Sequence, residues 1–93
     1  MILLSADAVE DVERLRNFLD RNNPDAARRA LAPIWRAIDG LKEFPDRGMP
    51  TKDADIRQLV VRFGASGYIV RYASLPDGDI LITRIWHGRE ARC

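Results

Sequence analysis

The chain has 93 residues, of which 46% are hydrophobic and 31% charged, and its formal net charge is only +1. This composition is typical of a water-soluble globular protein, and the length predicts one domain spanning residues 1–93. It excludes a membrane-spanning helix, because no apolar run approaches the thickness of a bilayer. It also provides no overall field that would draw the chain to nucleic acid.

Two features near the ends of the chain bear on its location. The run Met1–Leu4 is apolar but short, with no basic residue before it, so it is not a signal peptide. Cys93 is the only cysteine, which excludes an internal disulfide and a cysteine-based metal site. The sequence therefore predicts a cytosolic protein with neither a metal nor a cofactor.

The charge is unevenly distributed along the chain. Residues 1–55 carry nine basic and eleven acidic side chains, whereas residues 56–93 carry six basic and three acidic ones. Thirteen of the basic residues are arginine. Arginine binds planar carboxylates and phosphates with two parallel hydrogen bonds, so this bias favours a surface that meets acidic groups. A GC-rich genome would produce the same bias, and both interpretations stay open.

The first half of the chain predicts a short strand followed by two helices. Met1–Leu4 suits a strand added to the edge of a sheet. Ser5 or Asp7 can cap the first helix, and Asp7 with Glu10 has the spacing of a capping box. The helix should end near residues 21–23, where Asn-Asn-Pro interrupts it. Its apolar stripe recurs at three- and four-residue intervals and consists of Val9, Val12, Leu15, Phe18 and Leu19.

Asn23 is expected to cap the second helix, with Pro24 at its first position. The second helix is expected to pack antiparallel to the first. Pro33 removes one backbone hydrogen bond and favours a kink. Trp35 lies beside the stripe and should be partly buried, and Phe44-Pro45 ends the helix. Pro45 to Asp55 is expected to be a mobile surface loop. The apolar stripe comprises Ala27, Ala30, Leu31, Ile34, Ile38 and Leu41.

The last third predicts three antiparallel strands in a meander. Apolar runs at residues 56–63, 68–75 and 80–90 are separated by Gly-containing turns. Alternation places Tyr68, Val70 and Tyr72 on one face of the second run. In the third run, the same rule places Ile80, Ile82, Arg84 and Trp86 together, opposite Leu81, Thr83, Ile85 and His87. The predicted class is α+β: a short N-terminal strand, an antiparallel helical hairpin and a three-stranded meander.

Few residues suggest catalysis. His87 is the only histidine and suits general acid–base chemistry, and arginines on the strands suit the binding of a phosphate. An endoribonuclease would need both functions. A lone histidine after a strand is more often a surface or capping residue, and a strand arginine is more often solvated or ion-paired. The tyrosines Tyr68 and Tyr72 are more often core residues than site residues.

Several segments, taken together and in order, resemble the RelE/ParE toxin superfamily of bacterial toxin–antitoxin systems. They are NPDAARRA, IDGLKEFPDRG, IRQL, SGYIVRY and IWHGRE, and they cover nearly the whole chain. The resemblance implies a compact toxin held inactive in the cytoplasm by a cognate antitoxin, in a hetero-oligomer. It also implies that the toxin acts on DNA gyrase, as ParE-like members do, or cuts mRNA on the ribosome, as RelE-like members do.

The sequence favours the ParE-like branch. The position after the Gly-Tyr of the middle strand is basic in RelE-like toxins and is Ile69 here, and no tyrosine follows Tyr72. The resemblance therefore implies an inhibitor that binds gyrase and has no favoured catalytic residue. The alternative is a ribosome-dependent endoribonuclease, for which the candidate catalytic residues are Arg62, His87 and Arg89.

Two sets of contact residues follow from this interpretation. The strand residues expected to contact the target are Arg57, Arg71, Arg84 and Trp86. The helix residues expected to bind the antitoxin are Arg28, Arg29, Trp35 and Arg36, because arginines and large aromatics dominate interface energetics. Intrahelical pairing of these arginines with acidic residues is an equally good interpretation. We expect no membrane partner and no sequence-specific DNA binding by the chain alone.

Overall fold

The computed structural model describes residues 1–20, 24–63 and 66–88. Strand β1 (Ile2–Leu4) precedes helix α1 (Ala6–Asp20) and helix α2 (Pro24–Gly40). Strands β2 (Met49–Pro50), β3 (Arg57–Phe63), β4 (Ser66–Ser74) and β5 (Ile80–His87) follow. The sequence-predicted α+β class, helical pair and meander are confirmed, and β2 is an element that the sequence did not predict.

The five strands form one sheet in the order β1-β5-β4-β3-β2. The pairs β2–β3, β3–β4 and β4–β5 are antiparallel, whereas β1 pairs with β5 in parallel at the opposite edge. The expected edge position of β1 is therefore confirmed. Both helices pack on one face of the sheet, α1 mainly on β5 and α2 on β3. The other face, called the outer face here, is covered by neither helix.

The core lies between the helices and the sheet. Tyr68, Val70 and Tyr72 are buried together, as alternation predicts. The core side chains of the helices and of the other long strands include Leu15, Leu31, Ile34, Ile38, Leu59, Val61, Ile80, Ile82 and Ile85. The predicted cap Asn23 lies outside the described residues, as do the side chains of Phe18, Leu19, Ala27 and Ala30.

The buried arc of α1 differs from the predicted stripe. Ser5 caps the helix, since its Oγ accepts a hydrogen bond from the Ala8 N–H at 3.1 Å. Val9 is 45% exposed, whereas Ala8, Asp11, Val12 and Leu15 are buried. Placing Val9 in the core was therefore wrong. The arc is rotated because a carboxylate at position 11 is bound by the sheet, which periodicity of apolar residues does not reveal.

Hydrogen bonds from the core hold the segment after α2. The helix ends at Gly40, four residues before the predicted Phe44-Pro45 boundary. The hydroxyl of the buried Tyr72 donates to the Pro45 carbonyl at 2.7 Å and accepts from the Gly48 N–H at 2.8 Å. A Cβ at Gly48 would lie 2.7 Å from the Tyr72 ring, so only glycine fits this approach. Residues 45–55, expected to be a surface loop, are mostly turns and exposed, but they contain β2, and a core hydroxyl binds the backbone that leads into it.

A bulge in β5 overturns part of the predicted face assignment. Tyr72 pairs with Ile82, but Arg71 pairs with Arg84, so one extra residue, Thr83, is accommodated in β5. A single extra residue exchanges the two faces of the strand beyond it. Arg84 and Trp86 therefore lie on the outer face, not with Ile80 and Ile82, and Ile85 and His87 turn toward the helices.

Asp11 joins α1 to β5 at the point where β1 ends. The residue is 1% exposed, and its carboxylate accepts hydrogen bonds from Arg14 Nη1 at 2.5 Å, from Arg84 Nε at 2.8 Å and from the Ile85 N–H at 2.9 Å. Arg14 Nη2 also donates to the Ile85 carbonyl at 3.2 Å. Two side chains of α1 thus satisfy the backbone of β5 beyond β1, as a neighbouring strand would.

The environment of Asp11 favours its ionised form. Burial by itself raises the pKa of Asp11, but the hydrogen bonds from Arg84, Arg14 and the Ile85 N–H outweigh it and lower the pKa to about 2. The folded chain therefore binds this proton less readily than the unfolded chain. The resulting stabilisation is complete above the ordinary carboxyl pKa of 3.8 and is lost as the pH falls toward 2.

We expect Asp11→Asn to lower the free energy of unfolding by about 3 kcal/mol at pH 7, because two arginines then lose their buried counter-charge. Since protonation of the wild-type carboxyl removes the same interaction, this difference should shrink by about 2 kcal/mol between about pH 5 and pH 2. Urea unfolding at several pH values measures both quantities. Glu13→Gln, an exposed change in the same helix, is the control, and a difference that does not vary with pH would contradict the prediction.

A second prediction concerns the anchor of the 45–48 segment. Tyr72→Phe should cost about 1–3 kcal/mol, because the Gly48 N–H and the Pro45 carbonyl both lose their partner. Tyr68→Phe makes the same chemical change four residues earlier on the same face of β4. The Tyr68 hydroxyl has no hydrogen-bond partner among the described residues, so this variant should lose clearly less stability. Denaturant midpoints of the two variants measure the difference. Equal losses would show that the hydroxyl bonds of Tyr72 do not hold this segment.

Candidate functional site

The outer face carries a shallow groove of about 720 Å³ that crosses β3, β4 and β5. Gln58, Arg71, Thr83 and Arg84 line it from the strands, and the segment around β2 supplies one wall. The residues of that wall are Met49, Pro50, Thr51, Lys52 and Asp53, with Ile56 beside them. The groove therefore exists because β2 is held against β3 and because the bulge directs Arg84 outward.

Two of the expected target-contact residues, Arg71 and Arg84, line this groove, and a third, Trp86, is buried beside Arg71. Arg71 and Arg84 lie directly opposite each other on β4 and β5. The guanidinium carbon of Arg71 lies 4.8 Å from the centre of the Trp86 ring, a cation–π arrangement. Arg71 Nε donates to Gln58 Oε1 at 3.2 Å. The structure thus places Arg71, Arg84 and Trp86 on one face. Sequence alternation had instead grouped Arg84 and Trp86 with Ile80 and Ile82.

Arg57, the fourth expected target-contact residue, lies apart from this group. It pairs with Tyr72 in register, and so belongs to the face that packs toward the helices. Its Nη1 donates to the carbonyls of Gly48 at 2.8 Å and Asp46 at 3.3 Å. The contacts of Arg57 therefore help to fix the segment before β2.

The hydrogen bonds of Asp11 orient Arg84. The hydrogen bond with the Asp11 carboxylate raises the pKa of Arg84, although partial burial opposes the increase. Asp11 accepts from both Nε and Nη2 of Arg84, so the plane of that guanidinium is fixed. Sequence reasoning missed Asp11. The available signal was the helical spacing, which places Asp11 on the same side of α1 as the buried Ala8 and Val12.

The candidate ribonuclease residues are not brought together. His87 pairs with Tyr68 and contacts its ring edge-to-face, with centroids 5.1 Å apart, on the face toward the helices. Arg62 pairs with Gly67 and is exposed on the outer face. The two side chains therefore project from opposite faces of the sheet. Burial raises the pKa of the neighbouring Tyr68, which keeps that phenol protonated. Arg89 lies outside the described residues.

The expected antitoxin-binding residues form an exposed surface on α2. Arg28 and Trp35, and likewise Arg29 and Arg36, are seven residues apart, which places each pair on one side of the helix. Arg28 pairs with Asp25 at 2.7 Å, with both side chains strongly exposed, so the intrahelical alternative applies to this arginine. Trp35 is 37% exposed, next to the buried stripe of Leu31, Ile34 and Ile38. This part of α2 thus presents cations around a partly exposed indole.

Two further observations limit the chemistry of the described residues. No helix in residues 1–20 or 24–63 combines the length and apolarity needed to span a membrane. Within the described part of the chain, no three His, Cys, Asp or Glu side chains are grouped so that they could hold a metal ion.

Comparisons with known proteins agree with this fold. A family model described as the ParE toxin of type II toxin–antitoxin systems, parDE, matches residues 2–92. Toxin RelE1 of Caulobacter vibrioides is 37% identical over 91 residues, which are 98% of this chain and 96% of that protein. Toxin RelE3 of the same organism is 37% identical over 89 residues, which are 96% of this chain and 95% of that protein.

A solved structure shows the same fold. The chromosomal ParDE toxin–antitoxin system from P. aeruginosa contains a chain that aligns with a TM-score of 0.74 over 92% of both chains, at 17% sequence identity. The likeness of the fold, the family match over residues 2–92 and the similarity to Toxin RelE1 lead to one conclusion. The chain belongs to the ParE toxin family of type II toxin–antitoxin systems.

Proposed function

We propose that this toxin arrests growth by binding DNA gyrase, rather than by cleaving RNA, and that a cognate antitoxin neutralises it. The observation that carries the proposal is the separation of His87 from Arg62 on opposite faces of the sheet. General acid–base catalysis needs the proton-transfer group and the cation within reach of one phosphate. A surface on which Arg84 lies beside Arg71, with Arg71 held against the buried Trp86, is instead suited to binding a macromolecule, because arginine is enriched at interface hot spots.

Ribonuclease activity on the ribosome is the second candidate. It is favoured by the similarity to proteins named Toxin RelE and by the aromatic contact that orients His87 against Tyr68. The two candidates differ in one requirement. An enzyme needs the ionisable imidazole of His87, whereas an inhibitor that acts by binding needs only the shape of the ring packed on Tyr68.

We expect His87→Phe to keep its toxicity, because phenylalanine preserves the edge-to-face packing on Tyr68 and removes only the titratable group. Growth after induction of the chain without antitoxin measures toxicity. An SOS reporter measures gyrase-dependent DNA damage, and primer extension on abundant mRNAs measures cleavage. Induction of the SOS reporter by wild type and His87→Phe alike supports gyrase binding. Cleaved transcripts that disappear in His87→Phe would establish the ribonuclease instead.

The antitoxin is proposed to contact the exposed side of α2. Reversing the charge of Arg29 and Arg36 together should weaken binding of the antitoxin encoded by the neighbouring reading frame by about tenfold or more, since acidic partner groups then meet like charges. Co-purification and calorimetric titration measure the loss. The matched control reverses Arg16, an exposed arginine of α1, together with Arg47, an exposed residue beyond α2. An equal loss in the control would attribute the effect to net charge alone.

A further inference from the structure

Two arginines, Arg71 and Arg84, lie next to each other in the outer-face groove with only one carboxylate bonded to the pair among the described residues. Arg71 and Arg84 are directly opposite on antiparallel strands, an arrangement in which like charges repel. The one carboxylate bonded to either of them is that of Asp11, and it also pairs with Arg14. Among the described residues, no carboxylate lies within ion-pair distance of Arg71. The pair of guanidinium groups of Arg71 and Arg84 therefore has one bonded carboxylate, that of Asp11.

Both guanidinium groups at the groove are already oriented. The Nε of Arg71 donates to Gln58 Oε1, and its guanidinium carbon lies 4.8 Å from the centre of the Trp86 ring. The Nε and Nη2 of Arg84 are bound to Asp11. Each arginine keeps donors that have no partner among the described residues. They are Nη1 of Arg84 and both Nη atoms of Arg71. Donors fixed in this way bind an oxyanion without the loss of side-chain freedom that exposed arginines suffer.

We propose that Arg71 and Arg84 form an oxyanion site for one carboxylate side chain of the antitoxin, carried on an extended segment that lies in the outer-face groove. This inference rests on the proposed function, because it names the chemistry by which the neutralising partner is recognised. It also accounts for neutralisation, since a segment seated there covers the surface proposed to meet the target.

The rest of the groove favours a peptide carboxylate over the phosphates of a nucleic acid. Met49, Pro50 and Ile56 line the groove and suit the apolar side chains on either side of an acidic residue. Lys52 and Asp53, also in the lining, carry opposite charges and add no net cation. Nucleic acid is held by several phosphate contacts along a basic surface, which two arginines and an overall charge of +1 do not provide.

The test compares Arg71→Met, Arg71→Lys and Arg62→Met by calorimetric titration with the antitoxin encoded by the neighbouring reading frame. Methionine keeps a flexible, unbranched side chain that can make an apolar contact with Trp86, while removing the charge and the donors. Lysine keeps the charge but not the planar fork. Arg62→Met makes the same change in charge on the same face, outside the groove. Thermal unfolding confirms that each variant is folded.

We expect Arg71→Met to raise the dissociation constant about tenfold or more, Arg71→Lys to recover part of the loss, and Arg62→Met to change it less than about twofold. Each acidic residue of the antitoxin is also replaced by its amide. For one of them, the replacement should weaken binding to the wild-type toxin but not to Arg71→Met. Equal effects of Arg71→Met and Arg62→Met, or no such acidic residue, would overturn the proposal.

Two further outcomes separate the alternatives. If Arg71→Met abolishes binding to a labelled single-stranded RNA or DNA duplex while antitoxin affinity is unchanged, the site takes phosphate and the carboxylate proposal is wrong. If the wild-type chain arrests growth and the antitoxin binds with no contribution from Arg71, the oxyanion site is refuted and the proposed function stands. If the wild-type chain does not bind the antitoxin, the proposed function and this inference both fail.

Discussion

The buried carboxylate of Asp11 connects the fold to the surface proposed to bind partners. It ties α1 to the part of β5 that β1 leaves uncovered, through the Ile85 N–H, and its remaining acceptor capacity is used by Arg84 and Arg14. Removing a charge of this kind from water is costly, and only a full set of donors compensates for it. The same bonds that stabilise the helix–sheet contact also fix the orientation of Arg84 in the groove.

One extra residue in β5 determines what the outer face presents. Without the bulge at Thr83, Arg84 and Trp86 would point toward the helices, and His87 would share the outer face with Arg62. The observed register does the reverse. It places a cation beside Arg71, places an indole beneath the Arg71 guanidinium, and packs the only histidine on Tyr68. The strand register thus separates His87 from Arg62 and groups Arg71 with Arg84 on the outer face.

The wall of the groove depends on a hydroxyl in the core. Tyr72 is completely buried, yet its O–H and its lone pair bind the backbone on both sides of the turn that leads into β2. Arg57 binds the same segment from β3. A surface feature is therefore specified by interior polar contacts, which are stronger and more selective where water is excluded.

The sequence by itself determined the order of helices and long strands, the buried face of β4 and the resemblance to a toxin superfamily. Those features follow from the periodicity of apolar residues, from turn residues and from short segments that resemble those of the superfamily in the same order. Only the tertiary structure decided the bulge in β5, the parallel pairing of β1, the rotation of α1 toward Asp11 and the anchoring of β2. Each of these depends on a contact between residues far apart in the chain, such as Asp11 with Ile85 or Tyr72 with Pro45. The geometry of the candidate site is built from these contacts, so its residues were identifiable from the sequence but their arrangement was not.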